Sequence, residues 1–528
     1  MLILLILAIK QFEIKHTIWP PSTTEKSLFG RAVAFSNSRI AIAAEYLQIP
    51  GYENNNNNYT GGVYIYDYDS TSDSYKINKG IDNNRLYPLK VDGIKPSTLG
   101  SRLIISSDGK SLLAGAPYSD IRTDYPNIHL DSDYETHVYK YNDGTYYREI
   151  GALYLFTEDE KGNWHQEYIS VPENIICLGG YGRSMSGSRD LQNFVGAYYN
   201  KIGKGIPEIV GQVFVTRKIN STHYIQTKVE PPPGITFNKT TQRFGASLSF
   251  HRSNELYVTT LSKIPEDQGK GDEGGVYEYA PDKDHNYNYK SSITVDNSKD
   301  YDQFGIKSTF LGETLAAIYG RKNMISNDED SIFLIQKEES QLTWPKKPFQ
   351  IITFTDAEVS DIYLCSADVN SESTYLAVTA SRSGCNYNDI LIYERKINQP
   401  KFELIQNITE PKISRPGVDV PYDKQGVNYG SDFSWDKDTC KRFIVGAMGK
   451  DGEKKNTKPN EFSRAYVYEM TENNSGKSKD KTTLIIIIVC VVAAVVLVVV
   501  IVVTVILIRR KKRSQGEVND NMETIMDE

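Results

Sequence analysis

The sequence predicts an all-β protein: a seven-bladed β-propeller ectodomain followed by a single transmembrane α-helix. Three observations lead there. A phrase recurs at long intervals, opening on an aromatic or leucine before glycine and ending on a strand of the Gly-Gly-Val-Tyr-Ile-Tyr type. Most copies are followed by one further strand pattern. Near the C-terminal end lies one long uncharged apolar run. A repeated unit of this kind cannot bury its apolar faces alone, so copies must stack.

The units follow in chain order. The first opens at Phe29-Gly30 and has strands over residues 40–44 and 61–66; the second opens at Leu99-Gly100 and has strands over 112–117 and 151–156. The third, fourth and fifth open at Tyr181-Gly182, Phe244-Gly245 and Phe304-Gly305. The sixth lacks that pair but keeps three strands over 362–365, 375–380 and 390–393, and the seventh opens at Tyr429-Gly430. Fourth strands are read over 164–171, 224–229, 289–295, 342–354 and 402–408. Four antiparallel strands per unit describe a propeller, in which radial closure leaves only short edges. The seventh unit has no fourth strand of its own. Residues 13–19 are strand-like and precede the first unit, so the N-terminal strand is expected to complete the last one.

With Phe-Gly and Gly-Val-Tyr recurring in one order and Gly-Ala-Pro standing at 115–117, residues 13–470 resemble the FG-GAP repeat of integrin α-subunit propellers. Glycine before an innermost strand lets backbones crowd around a central channel. The resemblance implies a receptor or adhesin that binds a protein or glycan partner, and calcium in the hairpin between the first two strands of a unit. Two loops approach that pattern: Asp368, Asn370 and Glu372 in the sixth unit, and Asp436 and Asp438 in the seventh. Both depart from it at the closing ligand, where Tyr375 and Arg442 stand. No cofactor is expected, and any calcium would be loosely held. The integrin juxtamembrane phrase Gly-Phe-Phe-Lys-Arg and the β-sandwich leg domains are absent, which puts a β-type partner subunit in doubt.

The ends of the chain predict its location. Residues 1–12 carry a short apolar run and read as a signal peptide. Residues 471–483 form a polar stalk. Residues 484–508 are 25 uncharged, mostly apolar residues, enough to cross a bilayer as a helix. Arg509-Arg510-Lys511-Lys512-Arg513 opens a tail over 509–528, and by the positive-inside rule it holds that end in the cytosol. The prediction is a single-pass type I protein of the cell membrane with the propeller outside. Acceptors for N-glycans then occur at Asn58, Asn220, Asn238, Asn407 and Asn473. Of the cysteines outside the span, Cys365 and Cys385 share the sixth unit and are the expected disulfide.

The net charge is −7, and the five basic residues of the tail are matched by five acidic ones there, so the exterior is acidic overall. No basic stripe appears there, which argues against nucleic acid as a partner. The partners expected are an extracellular or cell-surface protein or glycan, and the bilayer. The long loop over 118–149 offers the binding surface, with Tyr118, Tyr125 and Tyr134 among Asp120, Asp124, Asp131 and Asp133. Tyrosine gives rigid amphipathic contact at low entropy cost. The seven histidines have no metal-ligand spacing, and no serine sits on a nucleophile elbow, so no enzyme is expected. The alternatives are a secretory-pathway hydrolase on a propeller scaffold and a structural surface-coat protein.

Overall fold

The computed structural model describes residues 9–21, 27–36, 38–47, 60–81, 85–89, 91–126, 129–130, 138–141, 143–172, 174–175, 179–198, 211–221, 223–233, 244–250, 254–260, 274–295, 304–312, 314–321, 330–338, 340–341, 343–355, 357–366, 372–382, 388–413, 427–449, 463–473 and 503–508. Residues 12–470 form one compact unit; residues 1–11 with 471–528 form a second, in which 503–508 are a short helix. Among the described residues, no helix is long and apolar enough to cross a membrane.

The protein is all-β, with eight four-stranded sheets among the described residues in an arrangement of the propeller type. Seven sheets repeat one order, numbered here 1 to 7 along the chain. Their first strands are Phe29–Ser36, Leu103–Ile105, Ser184–Gly187, Leu248–Phe250, Lys307–Leu311, Ala357–Cys365 and Val427–Trp435. Each sits at one end of its sheet, and all seven line one central cavity, so the first strands are innermost. Sheet 7 closes differently from the rest, with Ile9–Ile18 as its outer strand, paired to Arg464–Asn473. That closing strand overlaps residues 9–12 of the range read as a signal peptide.

The apolar alternation puts the core between sheets. Val63 and Ile65 of sheet 1 pack with Leu112 and Ala114 of sheet 2, and Phe12 packs with Phe433 and Phe443 of sheet 7. The recurring glycines explain the tight spacing. A Cβ on Gly61 would come within 2.3 Å of the Leu99 carbonyl oxygen, and one on Gly211 within 2.0 Å of the Phe244 carbonyl oxygen. The crowding that demands glycine therefore lies between neighbouring sheets, not around the channel as the sequence suggests. The motif is one contact written twice: the glycine that opens a third strand meets the residue before the anchor glycine of the next sheet.

The expected bond between Cys365 and Cys385 is not the one formed. Cys365 ends the first strand of sheet 6 and bonds Cys440 in the first hairpin of sheet 7, with Cα atoms 5.9 Å apart. Closeness in sequence misleads here, because stacking brings the ends of adjacent first strands closer than the loop within a sheet need be. Cys385 lies outside the described residues.

Candidate functional site

The long loop of sheet 2 builds the eighth sheet. Its strands are Ile94–Lys95, Asp120–Arg122, Val138–Tyr141 and Gly144–Tyr147, inserted mostly between the second and third strands of sheet 2. Ile94, Ile121 and Ile150 form its small core, with Tyr125 and Tyr147 packed against them. Several residues proposed as ligand contacts prove to hold this sheet together. Asp120 accepts a hydrogen bond from Tyr141 Oη at 2.7 Å and one from the Glu149 backbone at 2.8 Å, and burial pushes its carboxyl up against those bonds. The Tyr125 ring covers Gly93. Lys95 lies over the Tyr141 and Tyr146 rings at 4.3 and 4.8 Å. The outward chemistry is carried by Arg122, which holds Asp92 at 2.6 and 3.0 Å and also pairs with the exposed Asp124. Asp131, Asp133 and Tyr134 lie outside the described residues.

Tyr118 points elsewhere, with the Arg183 guanidinium 4.9 Å from its ring centroid. Arg183 lines the central cavity, which has a volume of about 440 Å³. Leu103 pairs with Ala114 at the end of the second strand of sheet 2, so Arg102 sits at the end of the channel from which the accessory sheet grows. From there Arg102 crosses the ring to reach Asp361 at 3.2 Å and Asp432 at 3.4 Å. Lys307 Nζ donates to Asp361 at 3.1 Å, Tyr363 Oη to Asp432 at 3.1 Å, and the Val33 backbone to Asp432 at 2.8 Å. Burial pushes the Asp432 carboxyl up, in spite of Arg102, and it pushes the Lys307 ammonium down in spite of Asp361. For Asp361, burial is outweighed by Lys307 and Arg102 together, which hold its carboxyl low. The opposite end of the channel is spanned by a pair between Arg189 and Asp438.

This cluster was missed in the sequence because its members come from sheets 2, 5, 6 and 7. A faint signal exists: a charged residue falls within three residues of an anchor glycine at Arg102, Arg183, Lys307 and Asp432, just where strands dominated by small and apolar residues begin.

Of the carboxylates read as calcium ligands, Asp436 and Asp438 are engaged with arginines. Asp436 is fully buried and pairs with Arg442 at 2.9 Å, and it accepts Thr439 Oγ1 at 2.9 Å. Asp438 faces Arg189. Tyr375 is buried with its hydroxyl on Glu394 at 3.1 Å. Glu372 lies in the turn that accepts the Ile397 backbone N–H, while Asp368 and Asn370 lie outside the described residues. Among the described residues no three His, Cys, Asp or Glu side chains converge on one point. Of the glycan acceptors, Asn220 and Asn407 are exposed; Asn58, Asn238 and the Asn473 side chain lie outside the described residues.

No family model matches the chain, and no curated protein matches it either. Among solved structures, it is similar to a "putative 6-phosphogluconolactonase" from Bacteroides uniformis at 12% identity, over 72% of this chain and 85% of that one, with a TM-score of 0.38. It is also similar to prolyl oligopeptidase B from Galerina marginata at 10% identity, over 84% of this chain and 47% of that one, with a TM-score of 0.37. The chain thus spans about half the length of the second protein. At these scores neither likeness carries a function to this chain.

Proposed function

We propose that the chain is a single-pass type I cell-surface protein, a receptor or adhesin whose seven-bladed, FG-GAP-like propeller presents the accessory sheet to a protein or glycan partner. The observation that supports this reading is the accessory sheet itself. A long insertion in a rigid β scaffold folds into a sheet with its own core, and it holds Arg122, Asp92 and Asp124 outward in fixed positions. Binding residues are disproportionately carried on loops that a scaffold positions. The uncharged run over 484–508 and the basic cluster after it support membrane anchoring. In the hydrolase alternative, Asp361 and Asp432 would be the candidate acid and base, but Arg102 bridges both.

The test uses the full chain expressed on cells. Protease added outside should release most of the chain and leave a small membrane-bound stub; a protected propeller overturns the topology. Replacing residues 120–148 by a short Gly-containing turn should leave the other seven sheets folded and abolish surface crosslinks to partner molecules. Crosslinks unchanged by that replacement place the contact surface elsewhere.

A further inference from the structure

The strand that closes sheet 7 holds residues that a leader reaching to position 12 would remove. Phe12 is 2% exposed, with the rings of Phe443, Trp435 and Tyr375 around it at 5.1, 5.8 and 6.2 Å. Its backbone is held as firmly as its ring. The Phe12 N–H donates to Gln406 Oε1 at 2.8 Å and Gln406 Nε2 donates to the Phe12 carbonyl oxygen at 2.9 Å, so a side-chain amide from the outer strand of sheet 6 copies a ladder pair. Thr471 Oγ1 donates to the Gln11 carbonyl oxygen at 3.1 Å. Farther along the strand, Ile14 packs in the same cluster as Phe12, and Ile18 packs with Phe29 and Val467 where sheets 7 and 1 meet. A cut after residue 12 takes away the Phe12 ring and leaves a gap against Trp435 and Phe443.

The sequence narrows the position of a cut from the other side. Leader cleavage needs a small side chain just before the bond, at the end of a run of roughly 7–15 apolar residues. Residues 2–8 make such a run, and Ala8 is the one Ala, Gly, Ser, Thr or Cys among residues 1–16. The strand begins at the next residue, Ile9. We propose that the chain is processed at the Ala8–Ile9 peptide bond, so that the mature protein starts on the first residue of its closing strand. The step is a hydrolysis. Water adds across the amide, leaving a carboxylate on Ala8 and an ammonium on Ile9, and a leader peptidase of the secretory membrane catalyses it. The inference rests on the surface-protein reading above and goes beyond it by naming the bond.

The test is mass spectrometry of the N-terminal peptide of the full chain recovered from expressing cells, with surface biotinylation alongside. The mature peptide should begin Ile-Lys-Gln-Phe-Glu, and Ala8→Arg should leave residues 1–8 attached. A start at any later residue overturns the proposal. A biotinylated chain that still carries residues 1–8 overturns the cut and leaves the surface topology standing; an uncut chain that biotin does not reach overturns both. Two chains behind a foreign cleavable leader test the role of the strand. The one maturing at Ile9 should melt with the wild type, and the one maturing at Glu13 should melt several degrees lower. Equal midpoints would show that the strand does not set the boundary.

Discussion

Two clusters in this protein have the same parts, an arginine between two aspartates, and unlike surroundings. On the accessory sheet, Arg122 reaches Asp92 with two short bonds and pairs with Asp124, and the two carboxylates are 85% and 68% exposed. In the channel, Arg102 reaches Asp361 and Asp432 through single, longer bonds, and Asp432 is only 8% exposed. The better geometry belongs to the pair that matters less for folding. Exposed pairs gain little because water already solvates both charges, whereas a charge that loses its partner inside a cavity cannot recover its solvation.

Removing one partner from each cluster should separate them. Asp361→Ala leaves Arg102 and Lys307 facing each other and should cost about 3 kcal/mol in chemical denaturation, the lower end for a broken buried pair because Arg102 is still partly solvated. A loss comparable to that of a surface variant would mean that water fills the channel and the contrast is empty. A second, smaller effect is acid dependence. Lys307 and Arg102 together outweigh burial and hold the Asp361 carboxyl below the ordinary aspartate range in the folded state, so its contribution is complete above that range and fades as pH falls through the folded value. Stability measured downward from pH 5 should therefore fall more steeply in the wild type than in Asp361→Asn; parallel curves would exclude this carboxylate as a source. The smallest effect is expected for Arg122→Ala, whose global melting midpoint should stay within error of the wild type. A shift of several degrees would show that the accessory sheet is coupled to the ring.

The architecture was legible because the repeat states its own contacts. Gly61 and Leu99, or Gly211 and Phe244, stand far apart in sequence yet mark one interface, and that interface recurs along the chain. The closing strand was legible for a different reason: the seventh unit lacked an outer strand and the strand-like residues 13–19 had no other unit to join, although Phe12, which packs in the core of sheet 7, was read as part of the segment before them. The channel cluster was not legible, since nothing in the sequence says that residues 102, 361 and 432 meet across an axis. Cys440 was hidden likewise, because the stacking of two sheets selects its partner and sequence distance does not. The tyrosines of the 118–149 loop were noticed, but composition cannot tell a contact surface from a small core, and Tyr125 and Tyr147 serve the core.

The placement of Ile9–Ile18 as the outer strand of sheet 7 sets a waiting time during synthesis. Ile9–Ile18 is made long before it can be seated, because Arg464–Asn473, its neighbour, leaves the ribosome some 450 residues later. At translation rates of about 5–20 residues per second, that is roughly 20–90 s. Throughout that interval Phe12 lacks the Phe443 and Trp435 rings that cover it at 5.1 and 5.8 Å in the finished ring, and so does the edge on which it lies. The nascent chain thus carries an uncovered apolar strand throughout that interval. Sheets 1 to 6 can be fully formed while the molecule remains open, and a second unfinished chain could donate the missing strand in place of its own.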